Sequence, residues 1–424
     1  LERGRQFLRE LREVAQRTEQ DWRQCPRCGS RMTIKYGSYR RRPWFFGGRR
    51  EVRVQRHRCR ACGRTYGEES ALLKRGSWYA REVHRSAIDH WLHLGVSLRR
   101  TAEVMRSWLG KQERYRMWRP LEPEGEERCY LAASTVHRWL DQAGVRAKKR
   151  VKGSLAGIAK TDYAGVDGLW AKLRGGSKRV VLLVADSVTG ILFPPVVAVG
   201  EGSAAGFRSL FERAQQAGLN LEQLRGVTSD GAKGLLSYLK QELYWVGQQR
   251  CVWHLWRNLR QPLAEAVSEA VEGLGKEAAE VKGKVVFGEL TQRIHQVLDA
   301  ATYEQAEEAL KALRHHPFGQ GIARFLHRHL DDALTHTQAY YQGMPRVTPE
   351  WHWRDFRLRL SRGRNHGSEE RLERAALLWA LYRNFTPAQE RYERKRHYRH
   401  PGLSPLAVAG FPPEDVSYLD ALDV

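Results

Sequence analysis

The sequence has no apolar run long enough to span a bilayer, which excludes a helical membrane anchor. It shows no secretory signal. Its opening residues, LERGRQFLRELREVAQRTEQDW, read instead as a charged amphipathic helix over 1–20. Leu1 is not Met, so a fragment and an alternative start codon both fit. The six cysteines are too few and too unevenly placed for a disulfide scaffold, which points to a reducing, cytoplasmic setting. No internal repeat appears, which excludes a solenoid, and no long low-complexity tract interrupts the chain. Acids are also scarce: 48 Asp and Glu stand against 72 Lys and Arg, a net charge of +24. A chain so basic attracts polyanions, nucleic acid foremost, although a solvated basic face is the plainer alternative.

The 424 residues suffice for several domains. Near the start, Cys25-Pro26-Arg27-Cys28-Gly29 and Cys59-Arg60-Ala61-Cys62-Gly63 form two CxxCG knuckles thirty residues apart. Each turns two thiolates toward one ion, and four sulfurs suit one structural Zn²⁺. The region between them reads as two strands, Met32 to Arg41 and Arg50 to Arg58, forming a hairpin in a small module over 21–70. Too small for much core, such a module would draw folding energy from its metal. His57 is an alternative ligand, and a redox dithiol an alternative use. The hairpin carries Arg40, Arg41, Arg42, Arg49, Arg50, Arg53, Arg56 and Arg58 beside Trp44, Phe45 and Phe46, a mixture suited to phosphate and sugar contact.

Residues 76–150 read as helices in a helix-turn-helix pattern. An apolar helix stops at Gly95, Ser97 caps the next, and after a 28-residue insert Ser134 caps another whose polar face shows Thr135, His137, Arg138 and Gln142. In a helix-turn-helix that face enters the major groove; in a plain bundle it meets solvent. Cys129 has no evident partner and reads as inert.

From about 158 the pattern becomes α/β: strands at Lys160 to Leu173, Lys178 to Asp186 and Gly190 to Val199, a helix over 203–217, a strand ending near Asp230, a helix over 232–242 and a strand at Gln249 to Val252. Residues 256–340 are helical in period. In GVTSDGAKG, Asp230 closes a strand and Gly231 and Gly234 permit a sharp turn. Sites in open α/β sheets lie at such strand ends, yet an acid there can also cap the following helix. Asp167 stands inside an otherwise apolar strand, where a carboxylate is costly unless compensated, and a divalent metal compensates it. Asp162 lies at that strand's start; Asp186 reads as a cap or turn residue. A third acid comes later, in NHGSE, where Glu369 and Glu370 share the first turn of a helix and also complement its dipole.

VDGLWAKLRGG, VTSDGAKG, the Cys251-Val252-Trp253-His254 element and NHGSE together resemble the successive motifs of bacterial insertion-sequence DDE transposases, most closely the Mutator-like group. The resemblance covers roughly 160–258 and 351–385. It implies a ribonuclease-H-like catalytic domain over 158–258, an all-α insertion over 259–350, and the third acid in 351–385, ahead of a basic tail over 386–424. Motif by motif, it makes Asp167, Asp230 and Glu369 the catalytic acids, with Glu370 adjacent to the last. Three such carboxylates hold two Mg²⁺ or Mn²⁺ ions about 4 Å apart. His254 and Cys251 become neighbours of the active site, though His254 is equally a core histidine with a partner, and two ligands make no second zinc site. Trp253, Trp256, Trp351 and Trp353 read as packing residues. The implied activity is cleavage and transfer of DNA strands at the terminal inverted repeats of a mobile element, by a nucleoid-associated dimer or larger assembly. A domesticated DNA-binding regulator, or a nuclease that does not join strands, are the alternatives.

Overall fold

The computed structural model describes residues 24–68, 72–74, 76–109, 129–150, 155, 162–348, 355–357, 359, 366–387, 402–413 and 417–422. The expected N-terminal helix over 1–20, most of the insert before Ser134, and Trp351 and Trp353 lie outside them. The chain divides into two compact units, residues 1–158, 171–177 and 354–424 in the first and 159–170 and 178–353 in the second.

The first unit opens with the hairpin. β1 (Thr33–Arg41) and β4 (Val52–Cys59) pair antiparallel, Thr33 opposite Cys59 and Arg41 opposite Val52, with a bulge between Lys35 and Ser38. Gly37 there has φ +73°, a conformation open to glycine and strained for other residues. The short strands β2 (Trp44–Phe45) and β3 (Gly48–Arg49) fold the hairpin tip back, and β5 (Thr65–Gly67) adds a third strand beside β4. At the knuckle end the buried cluster among the described residues is Cys25, Cys59 and Tyr66 with Cys62 against it, little apolar matter to hold a domain. Three helices follow. α1 (Arg81–His93) buries Val83, Ala87, Ile88, Trp91 and Leu92 along one stripe. Gly95, at φ +59°, ends it, and Ser97 Oγ accepts from Arg100 N at 3.2 Å to cap α2 (Leu98–Leu109), as the sequence predicts. α3 (Ala133–Arg150) packs against both.

The second unit is built on a five-stranded sheet in the order β10 (Gly247–Arg250), β9 (Gly226–Ser229), β6 (Tyr163–Lys172), β7 (Lys178–Asp186) and β8 (Val196–Ala198). β6, β9 and β10 run parallel, and β8 pairs antiparallel with β7. The run from Gly190 to Val199 thus contributes only three strand residues. β9 is buried throughout and β6 from Tyr163 to Asp167, as parallel strands covered on both faces must be. α4 (Ala204–Ala217) lies on β7 and β8 and packs against α5 (Lys233–Glu242). α6 (Val252–Val271) leaves β10 directly and runs into the helical insertion with α7 (Lys276–Leu298), α8 (Tyr303–Arg314), α9 (Gln320–His327) and α10 (Leu330–Ala333). One apolar cluster, from Leu255 to Leu334, serves all five. The boundary expected at 258/259 therefore falls inside a continuous helix, because Leu255 and Leu259 belong to the same core.

The first unit closes with α11 (Glu369–Phe385), α12 (Pro405–Val408) and α13 (Tyr418–Ala421). The last segment is not simply the basic tail expected over 386–424. Leu406, Phe411, Tyr418, Leu419 and Leu422 are buried, and Asp420 pairs with Arg85 at 2.7 Å. Among the described residues no helix is long and apolar enough to cross a membrane.

Candidate metal centres

The parallel register sets the first centre. Val166 stands beside Ser229, so one residue further Asp167 comes level with Asp230 at the carboxyl end of β9. Asp167 is only 6% exposed, and its Oδ1 accepts from Gly168 N at 2.7 Å. Asp230 is held by its own turn: Gly231 takes φ +78°, and Ala232 N donates to Asp230 Oδ1 at 3.0 Å. The residue capping α5 is Ala232, so Asp230 makes a local turn ahead of the helix rather than capping it. His254 enters from the first turn of α6 and is buried. One ligand atom from each of Asp167, Asp230 and His254 lies within 4.8 Å of the others. Two carboxylate oxygens and an imidazole nitrogen at that spacing are a donor set that a divalent cation fits.

The neighbouring residues divide into supports and bystanders. Cys251 is fully buried, accepts from Thr348 N at 3.4 Å and has Thr348 Oγ1 at 3.5 Å, while burial pushes its thiol pKa up. It anchors the chain returning from the insertion and is not among the clustered ligands. Asp186 Oδ1 accepts from Val188 N and Thr189 N, a turn role, and Asp162 pairs with Arg225 at 3.3 Å. Nothing in the sequence alone singles out Arg250. Its guanidinium lies across Gly231, where a Cβ would stand 1.5 Å from Nη1. Strand pairing sets its place, since Arg250 ends β10 level with Ser229. Trp253, expected in the core, is 40% exposed and carries Arg257 over its ring at 5.3 Å, whereas Trp256 does pack against the insertion core.

Glu369 and Glu370 belong to the other unit, in the first turn of α11, where Ser368 Oγ accepts from Arg371 N at 3.3 Å. Glu370 turns toward Arg374 at 3.9 Å.

The second centre is the knuckle pair. The sulfurs of Cys25, Cys28, Cys59 and Cys62 all lie within 4.8 Å of one another, with Cys25 to Cys62 at 3.5 Å and Cys28 to Cys59 at 3.6 Å. A tetrahedral zinc with bonds of about 2.3 Å sets its sulfurs roughly 3.8 Å apart, so the four thiols fit it. Burial resists ionisation of Cys25, but the backbone N–H groups of Cys28 and Arg27 outweigh it and hold the thiol at about 6. Backbone donors of Cys62 and Ala61 likewise lower Cys59 against the opposing effect of burial. His57 is not in the cluster: it is buried, stacked on Tyr66, with Nε2 3.7 Å from Glu68.

Of the expected DNA contacts, Arg41 is committed internally, donating to the carbonyls of Lys74 and Ser77. Arg40 pairs with Glu51 at 3.2 Å on the surface, Arg53 donates to Ser38 Oγ at 2.7 Å, Arg56 reaches Thr65 Oγ1 at 3.5 Å, and Arg42 lies beside Arg40 and Arg41 in the wall of a surface cavity. On α3, Thr135 and Arg138 line one cleft, while His137 faces another with His366 and Arg371.

Residues 166–348 match the model of the Mutator family of transposases. Over that span the chain resembles Mutator-family transposases. The match begins one residue before Asp167 and ends at Thr348, the partner of Cys251, so it spans Asp167, Asp230, His254 and the helical insertion. No curated protein matches the chain.

Proposed function

We propose that the protein is a DDE transposase that binds the terminal inverted repeats of an insertion sequence and cuts and joins DNA strands with Mg²⁺ or Mn²⁺. The observation that carries the proposal is the convergence of Asp167, Asp230 and His254 within 4.8 Å. The order of the sheet, with Asp167 on its central strand and Asp230 at the end of the parallel neighbour, supports a ribonuclease-H-like core. Asp167, Asp230 and His254 would hold the cation, and Glu369, with Glu370 beside it in the first turn of α11, is the proposed third acid. A divalent ion bound there supplies Lewis-acid activation of the attacking oxygen and neutralises charge at phosphorus. The chain does the positioning. Gly168 N and Ala232 N each fix one carboxylate oxygen, and the carboxylates so held need no reorganisation when charge develops. Arg250, beside the Asp230 turn, offers a cation to a DNA phosphate.

The first unit would recognise the ends. Its four-cysteine module is read as a zinc ribbon, and α2 and α3 as the two helices of a helix-turn-helix. Synapsis of two ends calls for at least a dimer on DNA. The test is a strand-transfer assay with Mg²⁺ on a labelled duplex carrying the inverted repeat that flanks the gene, run beside Asp167→Ala, Asp230→Ala and Glu369→Ala. Cleaved and joined product should vanish in each variant while DNA binding persists. Product undiminished in Asp167→Ala and Asp230→Ala would sink the metal-site reading, and cleavage without joining would favour a nuclease.

A further inference from the structure

One cleft in the first unit is walled by three elements that the sequence keeps far apart. The hairpin tip supplies Arg49, the segment after it Lys74 and Trp78, and α3 supplies Thr135, Arg138 and Gln142, which share one face at offsets of three, four and seven residues. The cavity measures about 440 Å³. Backbone pairing makes it rigid: Trp44 N donates to Trp78 O at 2.8 Å and Ala80 N to Trp44 O at 2.9 Å, so hairpin and connecting segment are stitched together. Its floor is aromatic and closely packed. Trp44 and Trp139 are buried, and His84 lies 3.8 Å from the Trp139 ring, centroid to centroid. Its rim is aromatic and open, with Trp78 71% and Tyr130 69% exposed. Three cations line it, and among the described residues no carboxylate does.

We propose that this cleft takes one unpaired nucleotide of the bound DNA, its phosphate against Arg49, Lys74 and Arg138 and its base against Trp78 and Tyr130. The inference rests on reading this unit as a DNA-binding module and adds the form of the DNA it selects. The chemistry is that of single-strand recognition: cations track the phosphate while an indole or phenol presents a face on which any base stacks. A paired base cannot use such a site, because in a duplex the base faces are covered by their neighbours and the cleft is concave. Only a nucleotide that has left the stack, at a nick, a frayed end or an overhang, reaches the rim. Those are the strand forms present at an element end once cutting begins. Gln142 and Thr135, on the wall of α3, can bond the base edge.

The test compares two labelled probes for the full-length protein: a short duplex, and the same duplex with one unpaired 2-aminopurine nucleotide. The intact protein should prefer the second probe, and stacking on the rim should quench its fluorescence. Trp78→Ala and Tyr130→Ala should lose the quenching and roughly 5- to 150-fold of the affinity for the unpaired probe. Because both side chains are mostly exposed, melting curves should stay at the wild-type position. Arg138→Gln should weaken the unpaired probe more than the paired one and reduce the magnitude of the slope of log affinity against log salt for the unpaired probe by about 0.7 to 0.9. Equal affinity for the two probes, or quenching that survives both aromatic substitutions, overturns the cleft while leaving duplex binding in place. Failure of the intact protein to bind even the paired duplex overturns the DNA-binding reading itself.

Discussion

Gly234 tests the geometry around Asp230 by the sign of an effect. It is the second residue of the helix Lys233–Glu242, and by helix propensity alone alanine there should stabilise by about 1 kcal/mol. The structure demands the reverse. A Cβ at Gly234 would stand 2.3 Å from the carbonyl oxygen of Ser203 and 2.6 Å from that of Glu201, and real Cβ atoms keep at least 3.0 Å. Both obstacles are backbone, so neither can swing away. The helix start must retreat from the 201–203 loop by at least the missing 0.7 Å, and the Gly234 N–H to Glu201 O bond of 2.9 Å goes with it. Overpacking of this kind costs roughly 1–3 kcal/mol and the lost bond about 0.5–1.5 kcal/mol. Together these give roughly 1.5–4.5 kcal/mol, a fall of about 3–18 °C in the melting temperature for a unit of this size. Asp230 lies four residues upstream in the same turn, and a displacement near 1 Å costs on the order of 100-fold in rate. Gly288→Ala is the internal control: it is also helical, but its Cβ meets nothing within 4 Å, so it should raise the melting temperature by the propensity gain alone. Differential scanning calorimetry of both variants decides the matter. A Gly234→Ala protein that melts at or above the wild-type temperature would refute the close approach of this helix to the loop.

Three other outcomes follow from the first unit. Elemental analysis should find one zinc per chain; Cys28→Ser should lose it and open residues 24–68 to protease, and a metal-free, protease-resistant wild type would count against the four-sulfur site. Burial holds the His84 imidazole at about 3 and that of His366 at about 4, both below the ordinary 6.5. With folded values depressed, stability is complete above pH 6.5 and drains as the pH falls from 6.5 toward 4, each histidine removing up to about 1.4 kcal/mol for every tenfold rise in proton concentration. A melting temperature that declines over that window, and declines less steeply in His84→Gln, is expected; identical slopes would exclude His84 as a source. Gly144→Ala would put a Cβ 2.7 Å from both Cβ and the carbonyl oxygen of Arg374, costing about 1–3 kcal/mol by parting α3 from α11, and an unchanged melt would contradict that contact.

The two acids of the centre stood out for different reasons: Asp167 is a carboxylate inside an otherwise apolar strand, whereas Asp230 alone reads equally as a helix cap and is singled out only by the motifs around it. Their meeting needed one further fact, the parallel pairing of β6 with β9, which no periodicity carries. The same limit explains α3. Its polar residues look alike in sequence, but at about 100° per residue Thr135, Arg138 and Gln142 fall on one side while His137, Asp141, Gly144 and Lys148 fall toward another. The second side is occupied. Arg374 bonds Asp141 at 3.0 Å, Lys148 reaches Glu373 at 2.9 Å, and only a glycine at 144 lets the helices approach so closely. The partner helix lies more than two hundred residues away in the chain, so a helical wheel shows the polar face of α3 as continuous when packing has divided it. That division bears directly on recognition. Asp141 and Lys148 are held in ion pairs with α11, whereas Arg138 and Gln142 open onto a basic cleft whose described walls carry no carboxylate, so it is the Thr135–Arg138–Gln142 side of α3 that has the charge and the room to meet DNA.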